Sequence, residues 1–129
     1  MTVTSETAQT LVLVADDEPD LRSLVQYSLR GAGYEVVTAA DGGEALDLAL
    51  EHKPDLAVLD VRMPKLTGLE VTRRMRDNDA TAHTPVLLLT AAVEKEDVAE
   101  GFAAGAYAYL EKPFDPWELV SRVEALLTD

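Results

Sequence analysis

The chain has 129 residues, with 24 Asp and Glu against 11 Lys and Arg, so it carries a formal charge of −13. One small domain of this length buries roughly two thirds of its unfolded surface, and an apolar content of 47% excludes disorder for most of the chain. The absence of cysteine excludes disulfides, thiolate metal sites and Cys nucleophiles. The acid excess argues against nucleic acid or a membrane surface as a direct partner. The opening segment MTVTSETAQT has neither a basic start nor an apolar stretch, and no run of about 18 apolar residues follows. A soluble, cytoplasmic protein is expected.

In chain order, residues 1–10 show no periodicity and are expected to form a mobile tail, and residues 11–129 to form a single domain. Five short apolar runs then begin near Leu11, Glu35, Asp55, Pro85 and Ala106, with helical patterns between them. That alternation predicts βα units and a parallel sheet covered on both faces, because parallel neighbours need crossover connections. The runs at Leu11 to Ala15, Leu56 to Leu59 and Val86 to Leu89 are almost wholly apolar, as doubly buried strands should be. The runs at Glu35 to Thr38 and Ala106 to Tyr109 mix in polar groups and read as edges. An α/β, flavodoxin-like sheet of order 2-1-3-4-5 satisfies this ranking and puts its functional crevice at the carboxyl ends of the first and third strands. The first helix carries Leu21, Leu24, Val25 and Tyr27/Leu29 and stops at Gly31 and Gly33. Helices are also predicted over Gly42 to Glu51, Leu66 to Arg76 and Glu94 to Ala103. In the last, Asp115 is the cap, Pro116 the first residue and Glu118 the partner of a capping box, with Val120, Val123 and Leu127 along one face.

On this scheme Asp16, Asp17 and Glu18 lie just past the first strand and Asp60 ends the third. Taken singly, each element reads as a helix cap or a solvated strand end. Together they form a cluster of carboxylates that repel one another unless a cation neutralises them. Oxygen ligands of this kind suit Mg²⁺, which takes one or two carboxylates and keeps several waters. Thr90 ends the fourth strand and Lys112 follows the fifth, so the same edge also offers a hydroxyl and an ammonium. A carboxylate nucleophile, a metal, a hydroxyl and a cation are the parts of a phosphoryl-transfer site.

The motifs VADDEPD, LDVRMP followed by Gly68, LLTA at Thr90 and GAYAYLEKPF together make the chain, from about Thr10 to Leu127, similar to the receiver domain of two-component response regulators. The resemblance implies that Asp60 accepts a phosphoryl group from a histidine kinase or phosphotransfer protein. It implies Mg²⁺ held by Asp17, Asp16, Asp60 and the backbone carbonyl of Arg62. Lys112 would pair with the phosphoryl oxygens, Thr90 would bond one of them, and Tyr109 would turn inward as the second half of a switch read by partners. Lys112-Pro113 is commonly cis in the family. A downstream output protein, a fused effector domain or a phosphorylation-dependent homodimer would carry the signal on, and the chain itself would be a signalling module rather than an enzyme. Arg62 and Ala92 stand where the family varies phosphoryl lifetime, and Tyr107-Ala108 stand where it often has acids.

Three rivals share parts of this pattern. A flavin carrier of the same architecture would set its phosphate against Asp16 to Glu18, and an aspartyl-phosphate phosphatase usually has a second Asp where Arg62 stands. A receiver-like protein-binding scaffold that is never phosphorylated is the alternative function. His52 and His83 read as solvated, Arg73, Arg74 and Arg76 as a solvated helix face, and Trp117 as packing of the last helix.

Overall fold

The computed structural model describes residues 10–91 and 95–128. The expected tail therefore lies outside the described residues except for Thr10, as do Ala92, Glu94 and Asp129. The strands are β1 (Leu11–Ala15), β2 (Glu35–Ala39), β3 (Leu56–Asp60), β4 (Val86–Ala91) and β5 (Ala108–Lys112). The helices are α1 (Pro19–Gly31), α2 (Gly42–His52), α3 (Gly68–Arg76), α4 (Lys95–Ala104) and α5 (Pro116–Thr128). All strand pairs are parallel, in the order β2-β1-β3-β4-β5. This is the flavodoxin-like order expected from the sequence, with β1, β3 and β4 inside and the mixed-polarity strands β2 and β5 at the edges. β5 starts two residues later than its apolar run, after a turn through Gly105 at φ +111°, so Lys112 is the last residue of the strand itself.

Strand alternation divides the interior into two cores. Val12, Val14, Leu56, Val58, Leu87, Leu89 and Leu110 face Val25 and Leu29 of α1 and Leu119, Val120 and Val123 of α5. Leu13, Ala15, Ala57, Leu59, Val86 and Leu88 face Ala45 and Ala49 of α2 and Leu69, Val71 and Met75 of α3. Each fully buried Leu or Val contributes about 1.5–3 kcal/mol, and both cores depend on the same three central strands.

Local chemistry fixes where the helices begin. Thr67 and Glu70 form a capping box on α3, the hydroxyl accepting from the Glu70 amide and the carboxylate from the Thr67 amide. Asp41 caps α2 by accepting from the Glu44 amide. At α5, Asp115 accepts from the Trp117 amide. Gly68 is needed for close approach, since a Cβ there would lie 2.4 Å from the Asp60 carbonyl oxygen. The loop after β3 can fold back across the strand end only with a bare backbone at that point.

Two side chains differ from their sequence reading. Trp117 is 80% exposed and, with Tyr27, borders an open groove between α1 and α5. It sits on the first turn of α5, where a helical stripe gives direction but no neighbouring element covers it. Arg76 is a clamp rather than part of a solvated face. Its Nε and Nη2 donate to the Gly105 carbonyl, its Nη1 donates to the Thr81 carbonyl, and its guanidinium lies 5.4 Å from the centre of the Tyr107 ring. The Tyr107 hydroxyl in turn donates to the His83 carbonyl. One planar fork thus ties the end of α3 to the loops before β4 and β5. Arg76→Ala is expected to lower unfolding stability in urea by about 2–3 kcal/mol, with Arg76→Lys recovering less than half, because an ammonium cannot reproduce the fork. Full recovery by Lys would mean that charge alone matters there.

Candidate functional site

Parallel pairing brings every strand's carboxyl end to one edge of the sheet, and the register does the rest. Asp60 lies opposite Leu89, Thr90 opposite Glu111 and Ala91 opposite Lys112. Asp16, Asp60 and Lys112 continue the alternation of the α1/α5 core, so their side chains share one face of the sheet. The Lys112 Nζ lies 3.0 Å from Asp60 Oδ2, 3.4 Å from Asp16 Oδ2 and 3.6 Å from Glu18 Oε1. The Lys112-Pro113 peptide is cis.

The carboxylates are held apart in role by their surroundings. Asp16 is fully buried, its Oδ1 accepting from the Glu18 amide while its Oδ2 has no hydrogen-bond partner beyond the facing ammonium. Asp60 is 5% exposed and accepts weakly, at 3.3 Å, from the Arg62 amide. Asp17 is exposed, and one carboxylate oxygen from each of Asp16, Asp17 and Asp60 lies within 4.8 Å of the others. A cavity of about 340 Å³ opens beside them, lined by Asp17, Arg62, Met63, Pro64 and Thr67 among others. All-oxygen donors, one of them a buried atom without a hydrogen bond, fit a hard divalent cation such as Mg²⁺.

Burial pushes the Asp60 carboxyl up to about 6; the hydrogen bond from Lys112 pulls it down, and the charge of Asp16 pushes it further up. Burial works against the charge of Lys112, but its hydrogen bond to Asp60 and the charges of Asp60 and Asp16 outweigh that and hold the ammonium above its ordinary range. The nucleophile candidate is therefore close to half-ionised near pH 6, while the cation stays charged.

The other residues singled out in the sequence lie around this centre. Thr90 is buried, its hydroxyl donating to the Ala91 carbonyl at 3.3 Å. Tyr109 is 40% exposed and packs edge-on against Phe102 of α4, ring centroids 5.9 Å apart. Glu18, the third acid of VADDEPD, reaches Lys112. One contributor has no sequence motif of its own: Arg22 fastens the β1–α1 loop by donating to the Asp16 carbonyl at 2.9 Å. Only the helical spacing that brings Arg22 back over the strand end could have pointed to it.

The chain belongs to the response regulator receiver domain family, which it matches over residues 12–124. It is 47% identical over 116 residues to the alkaline phosphatase synthesis transcriptional regulatory protein PhoP of Bacillus subtilis, covering 90% of this chain and 48% of that one. It superposes on the chemotaxis response regulator CheY4 of Vibrio cholerae with a TM-score of 0.87 at 40% identity, over 92% of this chain and 99% of that one. The receiver domain of a sensor histidine kinase from Pseudomonas aeruginosa PAO1, solved with a magnesium ion coordinated in its active-site cleft, superposes with a TM-score of 0.86 at 30% identity, over 94% and 99%. The chain spans about half the length of the curated relatives it matches. Among the described residues no helix is long and apolar enough to cross a membrane.

A carboxyl whose pKa rises on folding stabilises the native state fully below its unfolded value of 3.8 and loses that contribution as pH climbs through about 6. In metal-free buffer, Asp60→Asn is therefore expected to gain on wild type between pH 4 and 7.5, by up to roughly 3 kcal/mol. Urea unfolding at the two pH values measures the gain, and a difference that does not change with pH would contradict the raised carboxyl.

Proposed function

We propose that Asp60 is the phosphoacceptor of this receiver domain, taking a phosphoryl group from the phosphohistidine of a histidine kinase or phosphotransfer protein, or from a small-molecule donor. The observation that carries the reading is the convergence of buried Asp60 with Asp16 and Asp17, and the Lys112 ammonium 3.0 Å from the Asp60 carboxylate. Asp60 attacks phosphorus, the donor's P–N bond breaks with its electron pair on the histidine nitrogen, and an acyl phosphate remains. Asp16, Asp17, Asp60 and the Arg62 backbone carbonyl would hold Mg²⁺. Bound there, the ion supplies positive charge against the repulsion between an anionic nucleophile and an anionic donor. Lys112 supplies the second cation and, already facing Asp60, needs little rearrangement to pair with the new phosphoryl oxygens.

The acyl phosphate replaces one negative charge with a doubly negative group at a buried position. Thr90 turns its hydroxyl to a phosphoryl oxygen, and Tyr109, now half-exposed against Phe102, turns into the vacated space. The surface of α4, β5 and α5 changes with it, and a downstream protein, a fused effector domain or a second copy of the chain reads that surface. The transcriptional relatives, about twice as long as this chain, support a fused effector domain. A cytoplasmic location follows from a kinase partner of this kind.

Incubation with acetyl phosphate and Mg²⁺ followed by intact mass measurement tests the reading. Wild type is expected to gain one phosphoryl group, Asp60→Asn none, and chelation of the metal to abolish the gain. No gain in wild type, or an equal gain in Asp60→Asn, would overturn Asp60 as acceptor and leave the protein-binding scaffold as the better description.

A further inference from the structure

Lys112 is shared. Its ammonium faces Asp60 and Asp16 within the site, and on the outer side it lies 3.6 Å from the carboxylate of Glu18. Glu18 is the residue at the N-cap of α1, yet its side chain makes no cap bond, and that side chain is 65% exposed. Only its backbone N–H serves the site directly, by donating to Asp16 Oδ1. The carboxylate is thus free of any structural duty among the described residues except its pairing with Lys112.

An incoming phosphoryl group must draw on the same ammonium. Before transfer Lys112 divides its field between the buried Asp16 and Asp60 and the exposed Glu18. A small donor reaching Asp60 comes within range of the Glu18 charge beside that ammonium, and it brings no basic groups of its own to offset it. A donor with two negative charges meets more of this opposition than a donor with one. A protein donor can shield the charge with its own surface.

We propose that Glu18 is a specificity-determining residue that sets a negative charge beside Lys112 and thereby selects against small dianionic phosphodonors. The inference rests on Asp60 being the phosphoacceptor. With acetyl phosphate, a dianion, the P–O bond to the acetyl group breaks with its electron pair on acetate, and the Asp60 Oδ–P bond forms. With phosphoramidate, a monoanion at neutral pH, the P–N bond breaks and its pair leaves on nitrogen as ammonia, which already carries its three hydrogens. Neither step needs a further proton or co-reactant.

Apparent second-order phosphorylation rates, followed by intact mass at saturating Mg²⁺, are compared for wild type, Glu18→Gln and Glu18→Asp with both donors. At low salt Glu18→Gln is expected to react about five-fold faster with acetyl phosphate, the effect of removing one unit charge about 9 Å from a dianion in a water-like dielectric, and about two-fold faster with phosphoramidate, which carries half the charge. At about 1 M salt, where screening acts within ~3 Å, the gain should largely vanish. Glu18→Asp, which keeps the charge on a shorter side chain, should stay near wild type with both donors. Unchanged rates in Glu18→Gln, an equal gain with the two donors, or a gain in Glu18→Asp as large as in Glu18→Gln would each overturn the role of Glu18 while leaving Asp60 as acceptor. Absence of phosphoryl transfer to wild type would overturn both.

Discussion

The structure depends on one ammonium among like charges. Asp16 and Asp60 are brought to the same sheet edge and buried there, an arrangement that raises the free energy of the folded state unless a cation stands between them. Lys112 is that cation in the protein's own sequence, and it is delivered by the end of β5, four strands after β1 in the chain yet within 3.4 Å of Asp16 in space. Burial first, and the charge of Asp16 after it, still hold the Asp60 carboxyl up at about 6 against the pull of Lys112. A site in which charge is undercompensated is poised to accept a further cation. The stability it forgoes is supplied by β1, β3 and β4, whose side chains are apolar and buried almost without exception.

Much of this was legible in the sequence because the constraint that shapes the sheet also writes its pattern. A strand buried on both faces must be apolar throughout, so LVLVA, LAVLD and VLLLTA declare themselves central, while EVVTA and AYLEK do not. Once that order is set, the residue that ends each run is placed at the active edge, which is why Asp16, Asp60, Thr90 and Lys112 could be named before any coordinates. Arg76 could not. Its partners Gly105 and Thr81 lie in loops without periodicity, 29 and 5 residues away, and the fork is a property of how those loops close. Trp117 misled for the complementary reason: periodicity assigns a direction to a side chain, and only the tertiary arrangement decides whether anything waits there.

The charge of −13 takes on a different meaning in this light. Summed over the chain it argues only about bulk partners. Locally it separates into carboxylates with defined tasks. Asp41 caps α2, Asp115 caps α5, Glu70 completes the box on α3, and Asp16 orders the turn into α1 with one oxygen while keeping the other for the site. Several acids thus sit at helix N-termini, where the backbone field favours them. Asp60, at the end of a strand, has no helix terminus to shelter it, and the cluster around it is where a cation has leverage.

Strand alternation also sets how a change at Asp60 could travel. Asp60 and Lys112 belong by parity to the α1/α5 face, whereas Thr90 and Tyr109 belong to the face covered by α2, α3 and α4. In the β4–β5 register Tyr109 lies opposite Leu88, so Thr90 is its diagonal neighbour on that face, one pleat closer to the strand end. The Tyr109 ring meets Phe102 on α4. A hydroxyl recruited from Thr90 toward a phosphoryl group at the sheet edge would alter the packing beside that ring without disturbing the α1/α5 core that anchors Asp60. The route from site to surface would then need no long chain of contacts, only one threonine on the opposite face of the sheet from the charge and one aromatic ring next to it.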